Sequence, residues 1–161
     1  SVMAIEDFMF RLDGFVSSDN LLNLNISGED INLEKIRNYL PEKYLKLVSD
    51  YNPSGMLAVS CKINGPLTRT KNPHVELNTT LLNGHVSFGK SEITLNNLSF
   101  SGFYSNGNEN NLKTSSVSLK NLKAALGSSE YTGSILVTGF TQPVTDLDLK
   151  GRVFPAEIKE F

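Results

Sequence analysis

Apolar and polar residues alternate along most of this chain with a period of two, the spacing of strands that have one dry and one wet face. Phe8, Phe10 and Leu12 fall on one face, with Asp7, Arg11 and Asp13 on the other. Leu22, Leu24 and Ile26 likewise stand opposite Asn23, Asn25 and Ser27. The same rhythm runs from Leu57 to Ile63, Val75 to Leu82, His85 to Phe88, Ile93 to Tyr104, Leu112 to Leu122, Tyr131 to Phe140 and Val144 to Val153. It predicts a mainly β fold: a long, twisted and curved antiparallel sheet, shaped as an open half-barrel or groove, with two or three short helices.

Two of the connections have a chemistry of their own. Asn83-Gly84 is the dipeptide favoured in a two-residue type I′ turn, where both central residues need positive φ. A hairpin there pairs Leu82 with His85 and Leu81 with Val86, and places Leu77, Leu81, Val86 and Phe88 on one face. The polar run from Ser105 to Asn111 predicts a longer hairpin tip.

The β rhythm breaks after Ile31. Asn32 is placed to cap a short helix, with Ile31 and Ile36 as a hydrophobic staple and Leu33, Ile36, Tyr39 and Leu40 as its apolar stripe. Pro41 ends it, and a second helix is expected from Glu42 to Tyr51. Leu24-Asn25-Ile26-Ser27-Gly28 matches Leu147-Asp148-Leu149-Lys150-Gly151, each with a helix expected after it, the second near Pro155. The match suggests repeat units beginning near residues 21 and 144 within one β-rich domain.

Length and composition add bounds. A chain of 161 residues suits one domain, and 39% apolar residues suffice for a core. A net charge of −2, with lysines scattered rather than clustered, gives no footprint for nucleic acid. No stretch approaches the roughly 20 apolar residues of a membrane-spanning helix. The chain opens without a signal peptide and stops inside an expected helix, which suggests an excerpt of a longer protein.

Candidate chemistry is sparse. The one cysteine, Cys61, alternates with Leu57, Val59 and Ile63 as a small buried apolar residue, so neither a disulfide nor a cysteine metal cluster is expected. His74 and His85 are the two imidazoles, and lack metal-binding spacing. Glu29 and Asp30 precede a helix, where negative charge is favoured. Asp146 and Asp148 share a strand face and could serve a glycosidase only with another carboxylate across a cleft. No nucleophile elbow, phosphate loop, dinucleotide fingerprint or calcium loop occurs. The expectation is a non-enzymatic protein with no catalytic residue, cofactor or metal.

One stretch, Ser54 to Leu67, resembles the G-x-L-x-x-x-x-x-I-x-G-x-L strand of the AsmA-like family of bacterial envelope proteins, through Gly55, Leu57, Ile63, Gly65 and Leu67. Leu82 to Phe88, Ile93 to Leu98 and Ser99 to Gly102 are similar to the strands that follow it, and Leu33 to Pro41 to the short helix between repeats. The resemblance extends from about Leu22 to Phe161 and carries no catalytic residue. It implies a periplasmic excerpt of a protein anchored in the inner membrane of a Gram-negative bacterium, handling phospholipid or another acyl-chain lipid and supporting outer-membrane lipid homeostasis. The alternative is a structural or protein-interaction module that assists outer-membrane protein assembly, with other envelope proteins as partners. The sheet's apolar face either closes as a core or stays open for acyl chains. Candidate groove-lining residues are Leu77, Leu81, Val86, Phe88, Ile93, Leu95 and Phe100.

Overall fold

The computed structural model describes residues 2–5, 8–88 and 93–152. Nine strands follow one another in a single meander: β1 (Val2–Ile5), β2 (Phe8–Val16), β3 (Leu21–Asn32), β4 (Ser54–Pro66), β5 (His74–Ser87), β6 (Thr94–Ser105), β7 (Ser116–Leu126), β8 (Ser129–Thr138) and β9 (Val144–Arg152). Each pairs antiparallel with its neighbours in sequence, so spatial order equals chain order. The sheet curls without closing. Helix α1 (Leu33–Ile36), a 3-10 turn (Arg37–Tyr39) and helix α2 (Glu42–Tyr51) interrupt it between β3 and β4. The fold class expected from alternation is therefore the one observed.

Register converts the alternation into rows. Leu12, Ile26, Cys61, Leu77, Tyr104, Val117, Val137 and Thr145 face one another in turn from β2 to β9. The adjacent row on the same face is Phe10, Gly28, Val59, Thr79, Gly102, Leu119, Ile135 and Leu147. Between them on the opposite face runs Arg11, Ser27, Ser60, Asn78, Phe103, Ser118, Leu136 and Asp146. One side of the sheet is thus apolar across eight strands, and the other is mostly polar.

Curvature comes from single extra residues. β3, β5, β6 and β7 each carry a register shift, at Gly28/Ile31, Leu81/Gly84, Asn96/Ser99 and Leu119/Leu122. Asp30, Asn83, Asn97 and Asn121, with φ of 52–54°, lie within these shifts. An extra residue in the left-handed region bends its strand and sharpens the local twist, and four of them nearly in line curl the sheet. Asn and Asp are suited to this because they tolerate positive φ better than other residues with a side chain.

This corrects the expected hairpin. β5 runs straight through Asn83-Gly84, because only Asn83 has positive φ while a type I′ turn needs it at both positions. Gly84 is required for another reason: a Cβ there would sit 2.8 Å from Leu81 Cδ2 and 2.9 Å from the Leu98 carbonyl oxygen. The bulge supplies the same odd residue that a turn would have supplied. Leu81 and Val86 therefore still share a face, opposite Phe100 and Leu95. Glu29 and Asp30 likewise belong to the β3 bulge rather than to a helix start, and Leu112 lies in a loop before β7 rather than in a strand.

The helical segment begins where expected. Asn32 Oδ1 accepts from the Glu34 N–H at 2.8 Å, and α2 spans Glu42–Tyr51. Asn52 ends it with φ 39°, its N–H donating to the Val48 carbonyl. The expected helix near Pro155 lies outside the described residues.

Candidate functional site

The apolar face is a single layer with a lid at one end. Strands make substantial contact only with their neighbours in the sheet, while the helical segment packs on β3, β4 and β5. Beneath and beside it lie the buried apolar residues among those described: Phe8, Ile31 and Leu81, at 5%, 2% and 4% exposure. Phe8 meets Tyr39 edge-on at 5.3 Å between ring centroids, and Tyr51 meets Phe88 edge-on at 5.8 Å. The Phe10 ring and Ile31 Cδ1 fill the space above Gly28, and the Leu81 methyls fill that above Gly55 and Gly84.

Away from this end the same face is only half-covered. Leu12, Ile26, Cys61, Leu77, Tyr104, Val117 and Val137 are all intermediate in exposure. Toward β9 the cover fails altogether, with Leu147 at 55% and Leu149 at 45% exposed. A folded apolar face normally buries most of its large side chains; this one stays half-exposed along an unclosed, curled sheet.

The seven candidate residues all come to this face or its margin. Leu77, Val86, Leu95 and Phe100 are half-buried in β5 and β6, and Leu81 belongs to the packed end. Phe88 is 38% exposed against Tyr51. Its N–H donates to the Ile93 carbonyl at 3.0 Å, which joins these two residues at the end of β5 and β6. Cys61 lies on the floor between Ile26 and Leu77. It is half-buried rather than buried, and desolvation pushes its thiol pKa up, away from reactivity.

At the other end of this face lies a recess of about 640 Å³, lined by Val75, Tyr104, Pro73 and Leu112 with Asn72, Asn106, Asn110, Asn111, Lys113, Ser115 and Thr141. Its rim is the loop between β6 and β7. This is not a loose polar tip. Asn106 is 8% exposed; its Oδ1 accepts from the Val75 N–H at 2.8 Å and its Nδ2 donates to the Pro73 carbonyl at 2.8 Å. Asn72 and Asn110 each donate a side-chain amide N–H to the other's carbonyl at 3.2 Å. On the far side the Phe140 N–H donates to the Leu112 carbonyl at 2.8 Å, and the Phe140 ring lies 6.1 Å from that of Tyr104. The polar run from Ser105 to Asn111 marks this connection as a hairpin tip, and the loop joining the antiparallel β6 and β7 bears that out; its tethers to residues 72–75 have no signal in the sequence.

His74 completes the tether. Its Nδ1 lies 3.0 Å from Asn110 Oδ1 and 3.2 Å from the Gly107 carbonyl, and its Nε2 lies 3.4 Å from Glu76 Oε1. All three partners accept, so both ring nitrogens act as donors only in the protonated ring. The Asn110 hydrogen bond raises its pKa most; burial opposes it, and the Glu76 carboxylate and then the Gly107 carbonyl add to the rise. A raised pKa stabilises the native state fully below about pH 6.5, and that contribution is lost as pH rises through the native value. NMR titration is expected to place the His74 midpoint above 6.5, and Asn110→Ala to lower it. A midpoint indifferent to that substitution contradicts the geometry.

Asp146 and Asp148 lie on the polar face, opposite Leu136 and Ser134. With Ser118, Lys120, Ser134, Ile135 and Leu136 they line a shallow depression of about 360 Å³ that includes no further carboxylate. Among the described residues no three His, Cys, Asp or Glu side chains cluster so as to hold a metal ion. None of the family models, curated proteins or solved structures compared with this chain matches it.

Proposed function

We propose that this chain is a non-enzymatic lipid-binding or lipid-bridging segment whose trough holds acyl chains, as the AsmA-like resemblance implies. The observation that supports this is the row from Leu12 to Val137, apolar across seven strands and nowhere fully buried. Covering such a face with an acyl chain is favourable at about 25 cal/mol per Å² of apolar area removed from water. Lys113 on the rim offers one positive charge to a phospholipid headgroup at the wet end. On this reading the parent protein works in the periplasm, anchored in the inner membrane. A second reading, protein interaction through an open sheet edge, is supported by β9, whose every residue is exposed.

Native mass spectrometry after incubation with phosphatidylglycerol or phosphatidylethanolamine tests the first reading. Adducts of defined lipid stoichiometry are expected, together with slower alkylation of Cys61 by a maleimide when lipid is bound. No adduct, or no change at Cys61, contradicts it.

A further inference from the structure

We infer that the outer edge of β9 is a self-complementary interface, through which two copies of this chain join into one continuous sheet. Among the described residues β9 pairs only with β8, and all nine of its residues are exposed. Its polar face carries Asp146, Asp148, Lys150 and Arg152, and its apolar face Leu147, Leu149 and Gly151. In an antiparallel pairing of this strand with itself, facing residues lie on the same side of the sheet. With Leu149 on the two-fold axis, Asp148 faces the partner's Lys150 and Asp146 faces the partner's Arg152. The same two pairs recur in reverse across the axis, so all four charges of each copy meet an opposite charge. Moving the axis by one step, to Asp148 or to Lys150, sets that residue against its own copy. Charge therefore selects a single register.

The apolar side agrees with the polar one. In that register Leu149 faces its own copy, and each Leu147 lies diagonal to the partner's Leu149 and directly across from the partner's Gly151. These two leucines, 55% and 45% exposed in one copy, become covered in two. A two-fold axis perpendicular to the sheet keeps both apolar faces on the same side. The paired edge also satisfies backbone groups that would otherwise template unrelated strands.

Sedimentation equilibrium of the whole chain tests the interface without reference to lipid, so its outcome is separate from that of the trough. The unmodified chain is expected to dimerise reversibly over roughly 10–500 μM, a weak range fitting a narrow interface, and less readily as salt rises. Asp146→Lys with Asp148→Lys makes the face uniformly positive, and Lys150→Asp with Arg152→Asp makes it uniformly negative. Each double variant is expected to remain monomeric, with at least about a tenfold loss of self-association. An equimolar mixture restores every opposite-charge pair and is expected to dimerise as the unmodified chain does. Exposed sites leave folding unchanged, which circular dichroism checks. An unmodified chain that stays monomeric, with its edge taken by a foreign strand or by none, overturns the inference. So do charge-reversed variants that dimerise normally, or a mixture that fails to associate.

Discussion

Replacing Ile31 with alanine is expected to lower the folding free energy by about 2–4 kcal/mol, and Leu81→Ala by a similar amount. In most domains such a loss is spread over a large core, but here fully buried apolar side chains are few. Ile31, at 2% exposure, and Leu81, at 4%, are two of the three among the described residues. Ile31 Cδ1 packs over Gly28, and the Leu81 methyls lie against Gly55 and Gly84. Removing either leaves a void that the helical lid cannot fill without leaving β3, β4 and β5. Against a typical total of about 5–15 kcal/mol, either loss is a large fraction. Leu147→Ala, at a site 55% exposed, is expected to cost less than about 0.5 kcal/mol. Urea unfolding of the three variants checks the contrast. Equal losses at Leu81 and Leu147 would mean that stability is not concentrated under the lid.

Leu77→Asp carries the other large effect, on binding rather than folding. Leu77 stands mid-sheet between Cys61 and Tyr104, half-buried in the middle of the apolar row. With the trough empty its carboxylate can reach water, so the structure tolerates it. An acyl chain laid over it must strip that water away, at a cost of several kcal/mol. Affinity for a fluorescent fatty acid is expected to fall by about 100-fold or more, while Leu77→Met stays within about threefold. Asn78→Asp, one residue along on the polar face, is expected to change nothing. If Leu77→Asp binds as the unmodified chain does, acyl chains do not cross the middle of this face.

What could be read in the sequence was what strict local rules govern. Alternation placed Phe8, Phe10 and Leu12 on one face, and Leu57, Val59, Cys61 and Ile63 with them, because side-chain direction in a strand has a period of two. The cap at Asn32, the stop at Pro41 and the extent of α2 followed from backbone chemistry. Asn83-Gly84 was ambiguous because the dipeptide suits both a turn and a bulge. The choice lies in whether Gly84 turns to positive φ, and the pairing of β5 with β4 on one side and β6 on the other holds it extended. The short strand β1 lacks the length to show a pattern. The rim was hidden for a different reason: the bonds joining Asn106 to Pro73 and Asn110 to Asn72 span more than thirty positions, and nothing local to either partner announces the other. The candidate lining residues were legible as a face, but how far that face is covered depends on where the helical lid sits.

The central claim is that the apolar face is an open trough that accepts acyl chains, and photo-crosslinking addresses it most directly. A phospholipid carrying a diazirine midway along one acyl chain would be irradiated with the chain, and the modified peptides sequenced. The account predicts adducts on apolar-face residues such as Leu77, Cys61 and Tyr104, competed away by unlabelled lipid. Adducts confined to polar-face residues such as Asn78, Phe103 and Ser118, or none that unlabelled lipid displaces, would contradict it.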